Sequence, residues 1–149
     1  MQRQKKKQFA YFQQVDFIFY NEAEIIEAVS RARLESGHFG GFVVVNSNAF
    51  TDPTARQAVK NLTPVAEVMI GRHTVKRPES WLEVVDKTYK WSKMQKDCRY
   101  EIARRRYSGE DYRKTCRDLN ISNSMRRRLF EFVQMYATLQ AVQLGLIQV

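Results

Sequence analysis

Three consecutive arginines, Arg126, Arg127 and Arg128, interrupt the amphipathic helical pattern of "NISNSMRRRLFEFV". Guanidinium groups remain charged at physiological pH and bind phosphate and carboxylate through paired hydrogen bonds. Because like charges on neighbouring residues repel each other, such a run indicates either a solvated helix face or contact with an anionic partner. This is the second of two arginine triplets in the chain; the first occupies residues 104–106. Anion binding is therefore the chemistry that the rest of the sequence must position.

The positive charge is concentrated in two segments of the chain. The 149-residue sequence has a net charge of +9, while residues 93–128 alone contain twelve basic and five acidic residues. Residues 1–7 add four basic residues, so the remainder of the chain is slightly acidic. A local excess of this kind favours nucleic acid or an acidic protein surface as partner.

The segment 112–129 follows the helix-turn-helix pattern, in which a short helix and a tight turn precede a second helix. Leu119 and Ile121 flank the turn and are predicted to seal a small core. Asn120 occupies the turn position where glycine is commonest, and asparagine is the next-best residue for a left-handed backbone. Ser122 is predicted to cap the second helix.

This pattern predicts which side chains meet DNA. The exposed N-terminal end of a second helix usually contacts base edges, while surrounding basic residues attract phosphates. The predicted contacts at bases or nearby phosphates are Asn123, Ser124, Arg126 and Arg127, and Arg128 is a further predicted DNA-binding residue. The predicted phosphate contacts are Arg104, Arg105, Arg106, Arg113 and Lys114, together with Lys5 to Lys7.

Two stretches resemble a known group of regulators. "RRRYSGEDYRKTCRDLNISNSMRRRLFEF" resembles the C-terminal helix-turn-helix of sigma-factor-like phage regulators. "DPTARQAV" followed by "RPESWLEVVD" is similar to the middle of small Gram-positive prophage proteins of the RinA and ArpU type. The resemblance covers most of the chain from about Thr51 onward. It implies a helical transcription activator of late phage genes that binds double-stranded DNA and works without a cofactor.

The sequence departs from that pattern at Arg126, where a buried Val or Ile is usual. Burying a guanidinium without a partner is costly. We therefore expect the second helix to be rotated so that Met125 takes the core position.

The predicted fold class is mainly α: a long N-terminal helix, a short β-like or loop insertion, and a C-terminal helix-turn-helix bundle. Apolar residues at spacings of three and four predict the first helix over 8–35. The glycines at 37, 40 and 41 are expected to stop it. Residues 42–45 then form a β-like run that either pairs with 66–70 or remains a loop.

Two further helices are predicted before the helix-turn-helix. Asp52 and Pro53 predict the start of a short helix that closes at Pro64. Pro78 starts a long helix that reaches residue 107, with Ser80 and Glu83 spaced as a capping box. The predicted domains are an N-terminal oligomerisation region, 1–75, and a DNA-binding region, 76–149.

No motif of an enzyme or a metal site is visible in the sequence. His38 and His73 lack metal-ligand spacing, and "GHFGG" lacks the lysine and the strand-loop-helix setting of a phosphate loop. Cys98 and Cys116 are interpreted as small core residues in a reducing compartment, which predicts a cytoplasmic protein. The most apolar tail is too short and too polar to span a bilayer comfortably.

Several partners remain open from the sequence. The first helix or the tail from Met135 to Val149 is expected to form a homo-oligomer, because one recognition helix rarely gives enough affinity. RNA polymerase is a further candidate partner of an activator. The alternatives are a small terminase subunit for DNA packaging and a phage-encoded inhibitor that binds a host protein.

Overall fold

A computed structural model describes residues 2–44 and 63–149, and it confirms a mainly α fold. These ranges contain six helices and one two-stranded antiparallel sheet. No helix within them is long and apolar enough to cross a membrane. The helices are α1 Gln2–Tyr20, α2 Glu22–Val44, α3 Pro78–Met94, α4 Arg99–Tyr107, α5 Tyr112–Leu119 and α6 Asn123–Gln143, and the strands are β1 Glu67–Ile70 and β2 His73–Lys76.

The helix predicted over 8–35 is two helices that are separated at Asn21. The side-chain amide of Asn21 donates to the carbonyl of Phe17 at 2.7 Å, and its backbone N–H donates to the same oxygen at 3.2 Å. Asparagine side chains compete in this way with the helical hydrogen-bond ladder. Apolar spacing continues across the break, which is why periodicity alone predicted a single helix.

The prediction of a β-like run at 42–45 is wrong for residues 42–44, because they belong to α2. Val45 lies outside the described residues. The glycines at 37, 40 and 41 do not end the helix. Glycine lowers helix stability by about 1 kcal/mol relative to alanine without forbidding the conformation.

The strand at 66–70 pairs with the segment that follows it. Strands β1 and β2 form a hairpin in which Val68 faces Val75 and Ile70 faces His73. Gly71 takes the first position of the two-residue loop with φ +59°, as a type II′ turn requires. A partner this close in sequence needs little loop-closure entropy. Val68, Ile70 and Val75 are buried.

The long helix predicted from Pro78 begins there but stops at Met94, and α4 begins at Arg99. The Asp97 carboxylate accepts the backbone N–H of Arg99 at 3.1 Å and three guanidinium hydrogen bonds from the same residue. These bonds hold the pKa of Asp97 below its ordinary value.

Ser80 lies inside α3, so the predicted capping box is wrong. The helix predicted from Asp52 lies outside the described residues, apart from its last two positions, which are not helical.

Packing divides the chain into two compact units, 1–22 with 80–149, and 23–79. In the first unit α1 packs against α4 and α6. Leu119 and Ile121 pack against its core, as predicted; the buried core residues are Ile102, Ala103, Leu129, Phe130 and Val133. In the second unit the Glu79 carboxylate pairs with Arg33 and accepts the backbone N–H of Val65 at 2.9 Å. The functional division at residue 75 stays a prediction.

Candidate nucleic-acid interface

The helix-turn-helix is formed by α5, a tight turn and α6. Asp111 caps α5 by accepting the backbone N–H of Arg113 at 3.1 Å. Asn120 has φ 51° and ψ 50°, which confirms the predicted left-handed turn residue. Ser122 caps α6 by accepting the backbone N–H of Met125 at 3.1 Å, as predicted. Local side-chain chemistry therefore sets both helix starts and the turn between them.

The arginines of the second triplet point in different directions because successive residues of a helix are about 100° apart. Arg126 is only 6% exposed, whereas Arg127 and Arg128 are exposed. Met125 is 45% exposed. The prediction that the helix rotates to bury Met125 is therefore wrong, and the inward position belongs to Arg126.

Local polar and aromatic partners offset the cost of burying Arg126. Its Nε and Nη2 donate to the Asn123 side-chain oxygen at 3.0 and 2.8 Å. Its guanidinium lies 5.3 Å from the centre of the Tyr112 ring, within cation–π distance. The Asn123 amide oxygen thus takes two of the five guanidinium donors, and no carboxylate pairs with Arg126 within the described residues. In this conformation the guanidinium is turned to Asn123 and Tyr112, and the predicted DNA contact of Arg126 stays a prediction.

In the first triplet, Arg105 joins α4 to α5. Its guanidinium forms ion pairs with Glu101 at 2.9 Å, Glu110 at 3.2 Å and Asp118 at 2.7 Å. The hydrogen bonds that Arg105 donates to Asp118 and Glu101 raise its pKa. A guanidinium shared by three carboxylates holds the first helix of the motif in place, and it offers little charge to a DNA phosphate.

The other two arginines of this triplet lie over aromatic rings. Arg104 is exposed, with its guanidinium 5.5 Å from the centre of the Tyr89 ring. Arg106 is half-buried, with its guanidinium 4.3 Å from the centre of the Phe130 ring. Of the three arginines in this triplet, Arg104 is therefore the one that remains exposed.

Helix α5 presents exposed basic residues along its length. Lys114 is exposed and pairs with Glu110 at 3.0 Å, and Arg113 is exposed beside Tyr112. Hydrogen bonding to Tyr112 raises the pKa of Arg113. Arg117 is also exposed, although sequence reasoning did not select it. Its position four residues after Arg113 on a predicted helix was the available signal.

A polar cluster that sequence reasoning missed connects α1 to the helix-turn-helix. The Asp16 carboxylate accepts hydrogen bonds from the Tyr107 hydroxyl at 2.7 Å and from the Gln134 amide at 2.9 and 3.0 Å. Burial, reinforced by Asp16, raises the pKa of Tyr107. These residues are 91 and 118 positions from Asp16, so no local pattern could reveal the cluster.

Comparison with known proteins returns no match among protein-family models, curated proteins or solved structures. Within the described residues, no group of three His, Cys, Asp or Glu side chains is arranged to hold a metal ion.

Proposed function

We propose that the protein is a sequence-specific transcription regulator of a phage or prophage that reads double-stranded DNA with the N-terminal half of α6. The observation that carries the proposal is the capped helix-turn-helix with Ser124 and Arg128 exposed at the start of its second helix. In DNA-binding proteins of this type, that end of the second helix enters the major groove. Activation of late genes is the role that the sequence resemblance implies.

The outer face of α6 suits base contact. Ser124 and Arg128 are four residues apart and so lie on one face, opposite the buried Leu129 and Phe130. Within the described residues, Arg128 makes no ion pair with a carboxylate. An exposed guanidinium without a carboxylate partner can donate two hydrogen bonds to a guanine edge or to a phosphate.

The surrounding charges suit the DNA backbone. Each of the exposed basic side chains can neutralise a phosphate and release counterions, which gives salt-dependent affinity. The exposed candidates near the motif are Arg104, Arg113, Lys114, Arg117 and Arg127. The exposed Lys5, Lys6 and Lys7 at the start of α1 are further candidates.

The second half of α6 suits self-association. Phe132, Met135 and Leu139 are 37%, 47% and 52% exposed and recur at spacings of three and four residues. Such a row favours packing against another helix. A homo-oligomer would supply the second recognition helix that tight binding needs, and RNA polymerase would be the further partner of an activator.

Selection from a fragment library of the genome that encodes the protein tests this proposal. The experiment uses about 150 mM salt so that loose phosphate attraction is suppressed. We expect enrichment of one short site by the wild type, and loss of that enrichment in Arg128→Ala. The matched control is Arg31→Ala, which removes an exposed arginine of the other compact unit, one that is paired with Glu27.

Absence of an enriched site in the wild type would contradict the proposal and favour a protein partner instead. If a site is enriched, mass in solution separates the two DNA-binding roles. A dimer supports regulation, whereas a large ring supports a subunit of a DNA-packaging motor.

A further inference from the structure

A cavity of about 340 Å³ lies within the first compact unit, where the end of α1 meets α4, α5 and α6. Its volume falls in the range of small-molecule sites. Its walls combine aromatic and aliphatic side chains with two guanidinium groups. The lining includes Tyr20, Ile102, Arg106, Glu110, Tyr112 and Arg126.

The two arginines of this cavity lack a protein counterion. Among residues 2–44 and 63–149, neither Arg106 nor Arg126 forms an ion pair with a carboxylate. The Nε of Arg106 is buried and has no hydrogen-bond partner in the same ranges. The hydrogen bonds of Arg126 go to the neutral amide of Asn123. Buried charges in proteins are normally paired, so two such groups at one cavity indicate a site for an anion.

The carboxylates nearest the cavity have other partners. Glu110 binds Arg105, Lys114 and the Thr115 hydroxyl, and these bonds lower its pKa. Asp111 caps α5. Glu110 and Asp111 line the cavity as well, and within the described chain neither forms an ion pair with Arg106 or Arg126.

The aspartate of the neighbouring cavity is also engaged. Asp16 shares with Arg106 a second cavity of about 330 Å³, between α1 and α6. It accepts hydrogen bonds from Tyr107 and Gln134. No ion pair joins it to Arg106 within the described chain.

We propose that this cavity binds the phosphate group of a phosphorylated ligand, with Arg106 and Arg126 as the binding residues. Guanidinium groups form short, paired hydrogen bonds to phosphate oxygens. The rings of Tyr20 and Tyr112 provide the surface for the rest of the ligand. The site goes beyond DNA reading and does not depend on it.

Binding at this site would act on the start of α6. The hydrogen bonds of Arg126 hold the side chain of Asn123, the first residue of that helix. A phosphate on Arg126 would share those donors, so occupancy of the cavity would change the hydrogen bonding of Asn123.

Calorimetric titration with thymidine 5′-monophosphate, inorganic phosphate and thymidine tests the site. We expect wild type to bind the two phosphate probes and not thymidine. Arg106→Met and Arg126→Gln should each weaken binding of the monophosphate by about tenfold or more, since a charge-assisted hydrogen bond is lost. Arg31→Gln is the matched control, because Arg31 is an exposed arginine of the other compact unit, and it should bind like wild type.

Thermal unfolding without ligand separates binding from folding. If Arg126→Gln unfolds, Arg106→Lys replaces it, because lysine keeps the charge and loses the planar donor pair. Equal affinity in wild type and the cavity variants would overturn the proposal, as would absence of monophosphate binding by the wild type at millimolar concentration.

Competition identifies the source of the phosphate. If a short DNA duplex displaces the monophosphate, and Arg106→Met weakens binding of both, the site holds a phosphate of the DNA strand. If the duplex and the monophosphate bind together, or if the duplex does not bind, the site belongs to a small ligand. That assignment requires that monophosphate binding depends on Arg106 and Arg126. Failure of DNA binding therefore leaves the test of the cavity intact.

Discussion

The two arginine triplets are identical in sequence but lie near opposite ends of their helices. Residues 104–106 form the last turn of α4, where cations stabilise the negative end of the helix dipole. Residues 126–128 begin at the fourth residue of α6, near its positive end, and the first turn of α6 contains no acidic residue. Helix electrostatics thus favour the first triplet and give the second no comparable support.

The comparison shows that the role of each arginine is decided by its angular position and by the nearby acids. In each triplet one arginine faces inward to a ring or an amide and another stays exposed. Arg105 is surrounded by three carboxylates, whereas Arg128 forms no ion pair within the described chain. We infer that the first triplet mainly holds the motif together and that the exposed part of the second contacts the partner.

The largest expected effect comes from Arg128→Ala. If Arg128 contacts a base, its removal should lower affinity for the selected DNA site by about 10- to 100-fold, since one good base contact contributes about 1–3 kcal/mol. Electrophoretic mobility shift titrations measure this. The unfolding temperature should not change, because the side chain is exposed. An unchanged affinity would remove Arg128 from the reading surface.

The next effect is on stability and comes from Arg126→Ala. The substitution leaves the Asn123 amide and the Tyr112 face without their buried partner, so we expect a loss of about 1–3 kcal/mol in the free energy of unfolding. Urea denaturation monitored by circular dichroism measures it. Arg127→Ala is the control and should remain within about 0.5 kcal/mol of wild type, as an exposed substitution. Equal stability of the two variants would contradict the structural role of Arg126.

A smaller loss is expected from Arg105→Ala, which leaves Glu101, Glu110 and Asp118 without their shared cation. Surface ion pairs contribute modestly and are screened by salt. The unfolding temperature should therefore fall below that of wild type at low salt, and the gap should narrow at high salt. A gap that does not depend on salt would mean that packing, rather than charge, accounts for the effect.

The smallest effect is a change in the pH dependence of stability when Glu110 is replaced by glutamine. Hydrogen bonding to Lys114, together with Thr115 and Arg105, lowers the pKa of Glu110 from its ordinary value of 4.5. The folded state therefore binds this proton less tightly than the unfolded state does. The ionised carboxylate stabilises the fold above pH 4.5, and this stabilisation is lost as the pH falls through the lowered pKa. The difference in unfolding temperature between wild type and Glu110→Gln should shrink over that range. A constant difference would contradict the ion-pair assignment.

The sequence predicted those features that local chemistry determines. Asn120, Ser122 and Pro78 stand where predicted because turns and caps depend on a few adjacent residues. The break at Asn21 was missed because apolar periodicity continues through it. Burial of Arg126 was rejected because an unpaired guanidinium is costly to bury, and its partners Asn123 and Tyr112 were not foreseen. The Asp16 cluster joins residues too distant in the chain for any spacing rule.

The central claim is that α6 reads a DNA sequence, and the ratio of affinities for a selected site and its scrambled version tests it most directly. Wild type, Arg128→Ala and Arg105→Ala are compared at one salt concentration, since nonspecific affinity varies steeply with salt. We predict that wild type prefers its site by about a thousandfold or more. Arg128→Ala should reduce the ratio mainly by weakening the selected site, while Arg105→Ala, where folded, should keep it. Equal affinity of wild type for both sequences would contradict the claim.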